Sequence, residues 1–191
     1  MNIFSSVLVV ISGLWLGYEF WLIARDRRQG KGHTGIDRGT RNFNFLAITA
    51  GMGGAAILNG VSLFFFPGRW SDAIFWIGIA LMLLGFALRI WAVRTLGASF
   101  RTTVETHSDQ EVVRAGPYRL IRHPSYSGLL LMCAGYGMAV QNWLSLAVAV
   151  ILPLAALIYR IHVEERALVA SLGSEYEEYR LHTKKLIPWL W

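Results

Sequence analysis

The sequence contains a single cysteine, Cys133, among 191 residues. One cysteine cannot form a disulfide within the chain and leaves no second thiolate for a metal site. This excludes disulfide-stabilised domains and cysteine-rich metal modules. Charged residues are also scarce, at 16% of the chain against about 25% in soluble domains. Hydrophobic residues reach 54%, and this balance predicts a membrane protein in which Cys133 lies in the core or against lipid.

Long apolar stretches make up much of the remaining sequence. A transmembrane helix requires about 20 mostly apolar residues. Four stretches are long enough: residues 3–24, 43–66, 71–93 and 126–159. The last is uncharged and too long for one crossing, and Gln141 with Asn142 near its middle indicates a turn. We therefore predict an all-α integral membrane protein with five transmembrane helices. The fourth (125–140) and fifth (143–160) form a helical hairpin, and a C-terminal cytoplasmic helix follows.

The basic residues are distributed unevenly along the chain, whose formal net charge is +6. Residues 25–42 carry many of them, residues 94–122 are basic again, and the two alternate connections carry one arginine or none. Because cytoplasmic loops are enriched in Lys and Arg, the N-terminus is predicted outside and the C-terminus in the cytoplasm. The excess charge is then topological, so we expect no nucleic-acid partner. The N-terminus lacks the basic region of a signal peptide, and we expect the first helix to remain as an anchor.

The segment G-M-G-G-A-A at residues 51–56 matches a dinucleotide-binding fingerprint. That fingerprint functions only between a strand and a helix N-terminus. Here it lies inside an apolar span, where small residues allow helices to pack closely. We therefore predict a packing role for it.

The stretch GPYRLIRHPSYSG, residues 116–128, is polar and rigid for its position between apolar runs. Pro124 disfavours helical geometry at His123 and suits the first turn of a helix, so His123 is predicted just before the fourth helix. A helix N-terminus beside an imidazole forms a natural anion site. The alternative is an interfacial loop in which Arg119 and Arg122 contact lipid phosphates, and the residues alone do not separate the two interpretations.

A second polar group follows the fifth span. Arg160 and Glu164 lie one helical turn apart, and an apolar stripe continues at helical spacing as in an interfacial helix. A surface ion pair is the simple alternative, but with the cation first it contributes only about 0.2–0.5 kcal/mol. Glu165 would repel Glu164 unless a cation lies nearby. An S-x-x-E capping box that begins at Ser174 is predicted to restart the helix.

Together these two segments carry a family resemblance. VVRAGPYRLIRHPSYSG, then EERALVASLGSEYEEY and a proline near the C-terminus, resembles the isoprenylcysteine carboxyl methyltransferases. These are integral membrane enzymes that use S-adenosylmethionine. The resemblance covers roughly residues 75–191. Either half alone is less specific, because phospholipid N-methyltransferases and membrane sterol reductases share related patterns. On this basis we divide the chain into an N-terminal membrane anchor (1–70) and a catalytic region (71–191).

The resemblance also implies site residues. Arg160 would face the methyl-accepting carboxylate and, with Glu164, form the catalytic pair. The implied cofactor-binding residues are Thr103, Gln110, Glu111, Val112, Val113, Tyr118, His123, Pro124, Ser125, Tyr126 and Glu164.

The chemistry of these residues agrees with the implied roles. His123 and the helix N-terminus suit the carboxylate of S-adenosylmethionine, Glu164 suits its ammonium or a hydroxyl, and Val112, Val113 and Tyr118 suit the adenine. A carboxylate acceptor is already ionised at neutral pH and needs orientation by an arginine, whereas an amine acceptor needs a base. The absence of an obvious second base favours carboxyl methylation.

We therefore predict a methyltransferase that esterifies a prenylated cysteine or a similar lipidic thioether acid and releases S-adenosylhomocysteine. We expect a monomer that contacts membrane lipids and needs no metal. Phospholipid N-methylation, NADPH-dependent sterol-type reduction and a non-catalytic transporter or scaffold stay open as alternatives. Against transport, the charges cluster at one face, and Glu19 and Arg89 are expected to reach the cytoplasmic interface by snorkelling.

Overall fold

The computed structural model describes residues 3–28, 37, 39–61, 64–68, 71–103 and 111–188. Six α-helices lie in these ranges: α1 (Ile3–Arg28), α2 (Thr40–Leu58), α3 (Ser71–Leu96), α4 (Pro124–Ala139), α5 (Trp143–Leu172) and α6 (Ser174–His182). Short 3-10 turns occupy Gly97–Ser99 and Gly116–Arg119. The described residues form no strand beyond two isolated bridges, so the predicted all-α class is confirmed.

Three helices among the described residues are long and apolar enough to cross a membrane: Ile3–Arg28, Ser71–Ser99 and Trp143–Leu172. They indicate a multi-pass membrane protein. Helices α2 and α4 are shorter, with 19 and 16 residues. The second predicted span was too long, because α2 ends at Leu58 and the chain turns through Gly60 before it reaches Pro67.

Helix α5 extends beyond the predicted transmembrane span 143–160. It continues through Arg160 to Leu172, because no glycine or proline lies between Arg160 and Gly173, which takes a φ of 56°. The capping box predicted at Ser174 does not form: Gly173 is the N-cap of α6, and no side chain caps that helix. Glu164 therefore lies on the same uninterrupted helix as Arg160.

Glycine contacts bring α3 and α4 together at backbone distance. A Cβ atom placed on Gly78 would lie 2.6 Å from the carbonyl oxygen of Gly135, and one on Gly85 would lie 2.6 Å from that of Gly128. Real Cβ atoms do not approach other atoms this closely. The small residues therefore allow a tight helix pair, as in other membrane proteins, and this pair holds the start of α4 against α3.

Small residues also join α2 to α5. A Cβ atom on Gly51 would lie 3.2 Å from Cδ of Pro153, and one on Gly54 would lie 3.3 Å from Cγ1 of Val148. The G-M-G-G-A-A segment is thus a helix-packing element, as predicted. Cys133 is fully buried in the neighbouring core with Met132 and Leu157, so of its two predicted places, core or lipid-facing, it occupies the core.

The segment after α6 returns to the start of α4. The backbone N–H of Arg122 donates to the carbonyl of Lys184 at 2.7 Å, and that of His123 donates to the carbonyl of Lys185 at 3.0 Å. Ser127 Oγ donates to the carbonyl of Leu186 at 2.5 Å. These bonds fix the polar stretch 116–128 between α5 and the C-terminal segment.

Candidate active site

His123 is the N-cap of α4, with φ −123° and ψ 54°, and Pro124 begins the helix as predicted. The imidazole is buried and stacks on the Tyr126 ring, with centroids 5.5 Å apart. Its Nε2 lies 3.3 Å from Oε1 of Glu165, and its Nδ1 lies 4.0 Å from Oε2 of Glu164. The ring therefore faces carboxylates of α5, and its role as a cofactor ligand stays a prediction.

Arg122 pairs with Glu165. Its Nε donates to Oε1 of Glu165 at 2.8 Å, and its Nη1 donates to the carbonyl of Thr183. The two side chains are 7% and 8% exposed, so Arg122 is not a lipid anchor. Arg119 is exposed and keeps that interpretation. The repulsion between Glu164 and Glu165 was the sequence signal that a cation was needed, and Arg122 provides it.

Arg160 and Glu164 are connected by the hydroxyl of Tyr126. Tyr126 donates to Oε2 of Glu164 at 2.6 Å and accepts from Nε of Arg160 at 2.7 Å. Arg160 is only 5% exposed, which excludes the alternative of a surface ion pair. Its Nη2 donates to the carbonyl of Thr102 at 2.7 Å, while its Nη1 has longer contacts, 3.4 Å to Oγ1 of Thr40 and 3.7 Å to an Asp37 oxygen.

A cavity lies beside this group, between the start of α4, the end of α5 and α6. Nine of the predicted cofactor residues line it: Thr103, Glu111, Val112, Val113, Tyr118, His123, Ser125, Tyr126 and Glu164. Pro124 is buried and does not line the cavity. Gln110 lies outside the described residues.

The far wall of this cavity, which we call the polar cavity, is aromatic and uncharged. It contains Tyr118, Tyr176 and Tyr179, and the Tyr179 hydroxyl donates to the carbonyl of Tyr118 at 2.7 Å. Burial raises the pKa of Tyr118 and of Tyr176 far above the usual range, and the charge of Glu164 adds to the effect. Burial also raises the pKa of Tyr179 to about 12. The phenols are therefore neutral at physiological pH, and this wall suits a flat, uncharged ring.

A second cavity, lined by residues of α1 to α5 and of the segment 100–102, is here called the apolar cavity. Its walls include Trp15, Ile48, Leu129 and Leu157, and Arg160 lies at its edge. The side chains that line both cavities are Phe100, Arg101 and Tyr126. The two cavities thus meet at Tyr126, where Arg160 and Glu164 are joined. No sequence pattern predicts the apolar cavity, because it depends on how five helices pack.

Several known proteins are similar to this chain in sequence, and one solved structure is similar in fold as well. The profile of the isoprenylcysteine carboxyl methyltransferase (ICMT) family matches residues 76–170. A probable protein-S-isoprenylcysteine O-methyltransferase of Oryza sativa subsp. japonica is 32% identical over 117 residues. The protein-S-isoprenylcysteine O-methyltransferase of Saccharomyces cerevisiae is 34% identical over 116 residues. A solved structure of the eukaryotic intramembrane Ras methyltransferase ICMT is similar at a TM-score of 0.62 and 30% identity, covering 74% of this chain.

This chain belongs to the ICMT family. The resemblance predicted over roughly residues 75–191 is thereby confirmed. The matches take in 61% of the rice protein, 48% of the yeast protein and 52% of the chain of known structure. The chain therefore spans between about half and three-fifths of the length of these relatives.

The ICMT profile includes Arg89, but its main partner lies outside the match, on α1. Nε and Nη2 of Arg89 donate to the carboxylate of Glu19, the second at 2.6 Å, and Nη1 donates to Oγ of Ser125 at 2.6 Å. Arg89 is 5% exposed. The predicted snorkelling was wrong, because each charge is neutralised inside the protein. The pair attaches α1 to the start of α4.

Proposed function

We propose that the chain is an S-adenosylmethionine-dependent methyltransferase that converts the carboxylate of a prenylated cysteine, or a similar lipidic thioether acid, to its methyl ester. The observation that carries the proposal is the meeting of two unlike cavities at Tyr126. One is polar and aromatic, and the other is apolar and lies between helices of membrane length. A methyl donor and a lipidic acceptor can then approach each other at Arg160 and Glu164.

The chemistry of the polar cavity suits S-adenosylmethionine. The carboxylate of Glu164, whose side chain is 28% exposed, would hold the ammonium group, and the neutral wall of Tyr118 and Tyr176 would hold the adenine. When bound, the cofactor supplies an electrophilic methyl group on its sulfonium.

Arg160 has a donor available for the acceptor carboxylate. Nε and Nη2 each have a partner at 2.7 Å, whereas Nη1 has contacts only at 3.4 and 3.7 Å. A carboxylate is ionised at neutral pH and needs no general base, so orientation is the main requirement. An arginine fork provides it, while Tyr126 fixes the fork on one side.

We also propose that all five long helices lie in the membrane, with α4 and α5 as a hairpin, the N-terminus outside and the active site cytoplasmic. Three arginines in the last turn of α1 support this orientation: Arg25, Arg27 and Arg28. That end of α1 lies at the site, because Asp26 accepts from the N–H of Thr102 at 2.6 Å. Labelling of Gly68→Cys, in the connection between α2 and α3, from outside intact cells and of Ser174→Cys only after lysis would support this topology, and the reverse pattern would contradict it.

The decisive experiment measures ligand stabilisation and methyl transfer on purified protein. We expect S-adenosylhomocysteine to raise the Tm and NADPH to have no effect. We also expect label from S-adenosylmethionine to enter an S-prenylcysteine acid as a base-labile ester. Glu164→Gln and His123→Ala should weaken S-adenosylhomocysteine binding. Stabilisation by NADPH would instead favour a reductase, and label in phosphatidylethanolamine would favour N-methylation.

A further inference from the structure

The apolar cavity contains two buried polar side chains with unused hydrogen-bonding capacity. Asn44, in the second turn of α2, is 6% exposed. No described residue bonds to its Oδ1 or its Nδ2. Oγ1 of Thr102 is likewise shielded from solvent and unpaired within the described part of the chain. Both residues line the apolar cavity. Because unpaired buried polar groups are rare in proteins, two of them around one cavity point to a ligand with polar atoms.

The chemistry of Asn44 indicates which kind of ligand would satisfy it. Its Oδ1 accepts a hydrogen bond and its Nδ2 donates, so the side chain is satisfied when the ligand offers both a donor and an acceptor. A prenyl chain has neither, and a carboxylate at neutral pH only accepts. An acylated amino group supplies both an N–H and a carbonyl. The side chain therefore matches the amide of an N-acylated amino acid.

The position of Asn44 agrees with this choice. Thr40, whose Oγ1 is 3.4 Å from Nη1 of Arg160, lies four residues earlier on α2. Four residues correspond to a rise of about 6 Å, so Asn44 lies one helical turn beyond Thr40 on the same face of α2. Thr102 is nearer still, because its carbonyl accepts from Nη2 of Arg160. In an N-acylcysteine the amide nitrogen and the carboxylate are attached to the same carbon, and a substrate held at Arg160 brings its amide to these residues.

We propose that Asn44 is a specificity-determining residue that hydrogen-bonds the acylated amino group of the acceptor, with Thr102 Oγ1 as a second partner. The inference rests on the proposed function and deepens it, because it selects an N-acylated S-prenylcysteine over a thioether acid without nitrogen. Asn44 lies outside residues 76–170, which carry the family match.

The test compares two acceptors that share the prenyl thioether and the carboxylate: N-acetyl-S-farnesylcysteine and 3-(farnesylthio)propanoate. We expect wild-type kcat/KM to favour the first by about tenfold or more. Asn44→Leu should remove this preference by lowering kcat/KM for the acetylated acceptor alone, with S-adenosylhomocysteine affinity unchanged. Thr102→Val should reduce the preference in the same direction, and it keeps the proposal testable if Asn44→Leu fails to fold.

Thr49→Val is the matched control on α2. Thr49 lines the same cavity, but its hydroxyl already donates to the carbonyls of Phe45 and Leu46, so its loss should not change the preference. A wild type that treats both acceptors alike, or variants that lower both rates equally, would overturn the assignment of Asn44 and leave the proposed function intact. Failure of the wild type to methylate either acceptor would remove the proposed function together with the inference.

Discussion

Arg89 and Arg160 lie in two different membrane-length helices, are each 5% exposed and line the same apolar cavity, yet their partners differ. Arg89 is held by the carboxylate of Glu19, so its charge is neutralised within the protein. Arg160 is held mainly by a hydroxyl and a carbonyl, and its ion pair with Asp37 is longer, at 3.7 Å. A buried charge needs a counter-charge, so Arg89 is a structural residue, whereas the more loosely paired Arg160 leaves room for the anionic acceptor that we propose.

The largest expected effect comes from removal of the charge of Arg160. Arg160→Gln should lower kcat/KM for ester formation about 1,000-fold, or about 4 kcal/mol of transition-state stabilisation, because the acceptor carboxylate loses its fork. S-adenosylhomocysteine affinity, measured by calorimetry, should stay within a few-fold. Loss of both together would make Arg160 a structural residue or a cofactor ligand.

Glu19→Gln should have the next largest effect, on stability. It leaves Arg89 buried without a counter-charge, and breaking a buried pair in this way costs about 3 kcal/mol or more. Thermal unfolding in detergent would show it as a lower Tm. The double variant Glu19→Gln/Arg89→Met should recover much of the loss, and if it does not, the ion pair is not what the single variant breaks.

Tyr126→Phe tests how Arg160 is oriented. It removes the hydroxyl that joins Arg160 to Glu164, while the ring between the cavities remains. We expect a fall in kcat of about tenfold, which corresponds to about 1.4 kcal/mol and is typical of a lost hydrogen bond to a charged group. Steady-state kinetics with the acetylated acceptor would measure it. An unchanged kcat would show that Arg160 is oriented by its other contacts.

Thr40→Val should have the smallest effect. Its hydroxyl is 3.4 Å from Nη1 of Arg160 and donates to Asp37 at 2.9 Å, so its loss frees Nη1 from a weak contact only. We expect KM for the acceptor to change by less than about threefold, or about 0.6 kcal/mol. A much larger increase in KM would mean that Thr40 itself contacts the acceptor.

The features that follow from local chemistry were predictable from the sequence. Pro124 alone specifies where α4 begins and why His123 leaves helical geometry, and the apolar runs identify the long helices. Most of the implied cofactor residues line one cavity because the segments around residues 111–126 stay together in sequence. Because Glu164 and Glu165 are adjacent and would repel each other, the sequence also predicted a cation beside them.

The features that depend on packing between distant helices were not predictable. Glu19 is apparent from the sequence as a lone charge in an apolar run, but only the contact between α1 and α3 shows that Arg89 neutralises it. The polar residues of α5 beyond Arg160 obtain their partners in the same way, Glu164 from Tyr126 of α4 and Glu165 from Arg122 just before that helix. The unpaired Asn44 appears only when every described neighbour has been placed around it.

The return of the chain to the start of α4 has a consequence for biogenesis. The backbone N–H groups of Arg122 and His123 donate to the carbonyls of Lys184 and Lys185. During synthesis the start of α4 is made well before those carbonyls, and α5 and α6 must be completed in between. These two N–H groups therefore lack their partners until residues 184 and 185 have been synthesised and have docked.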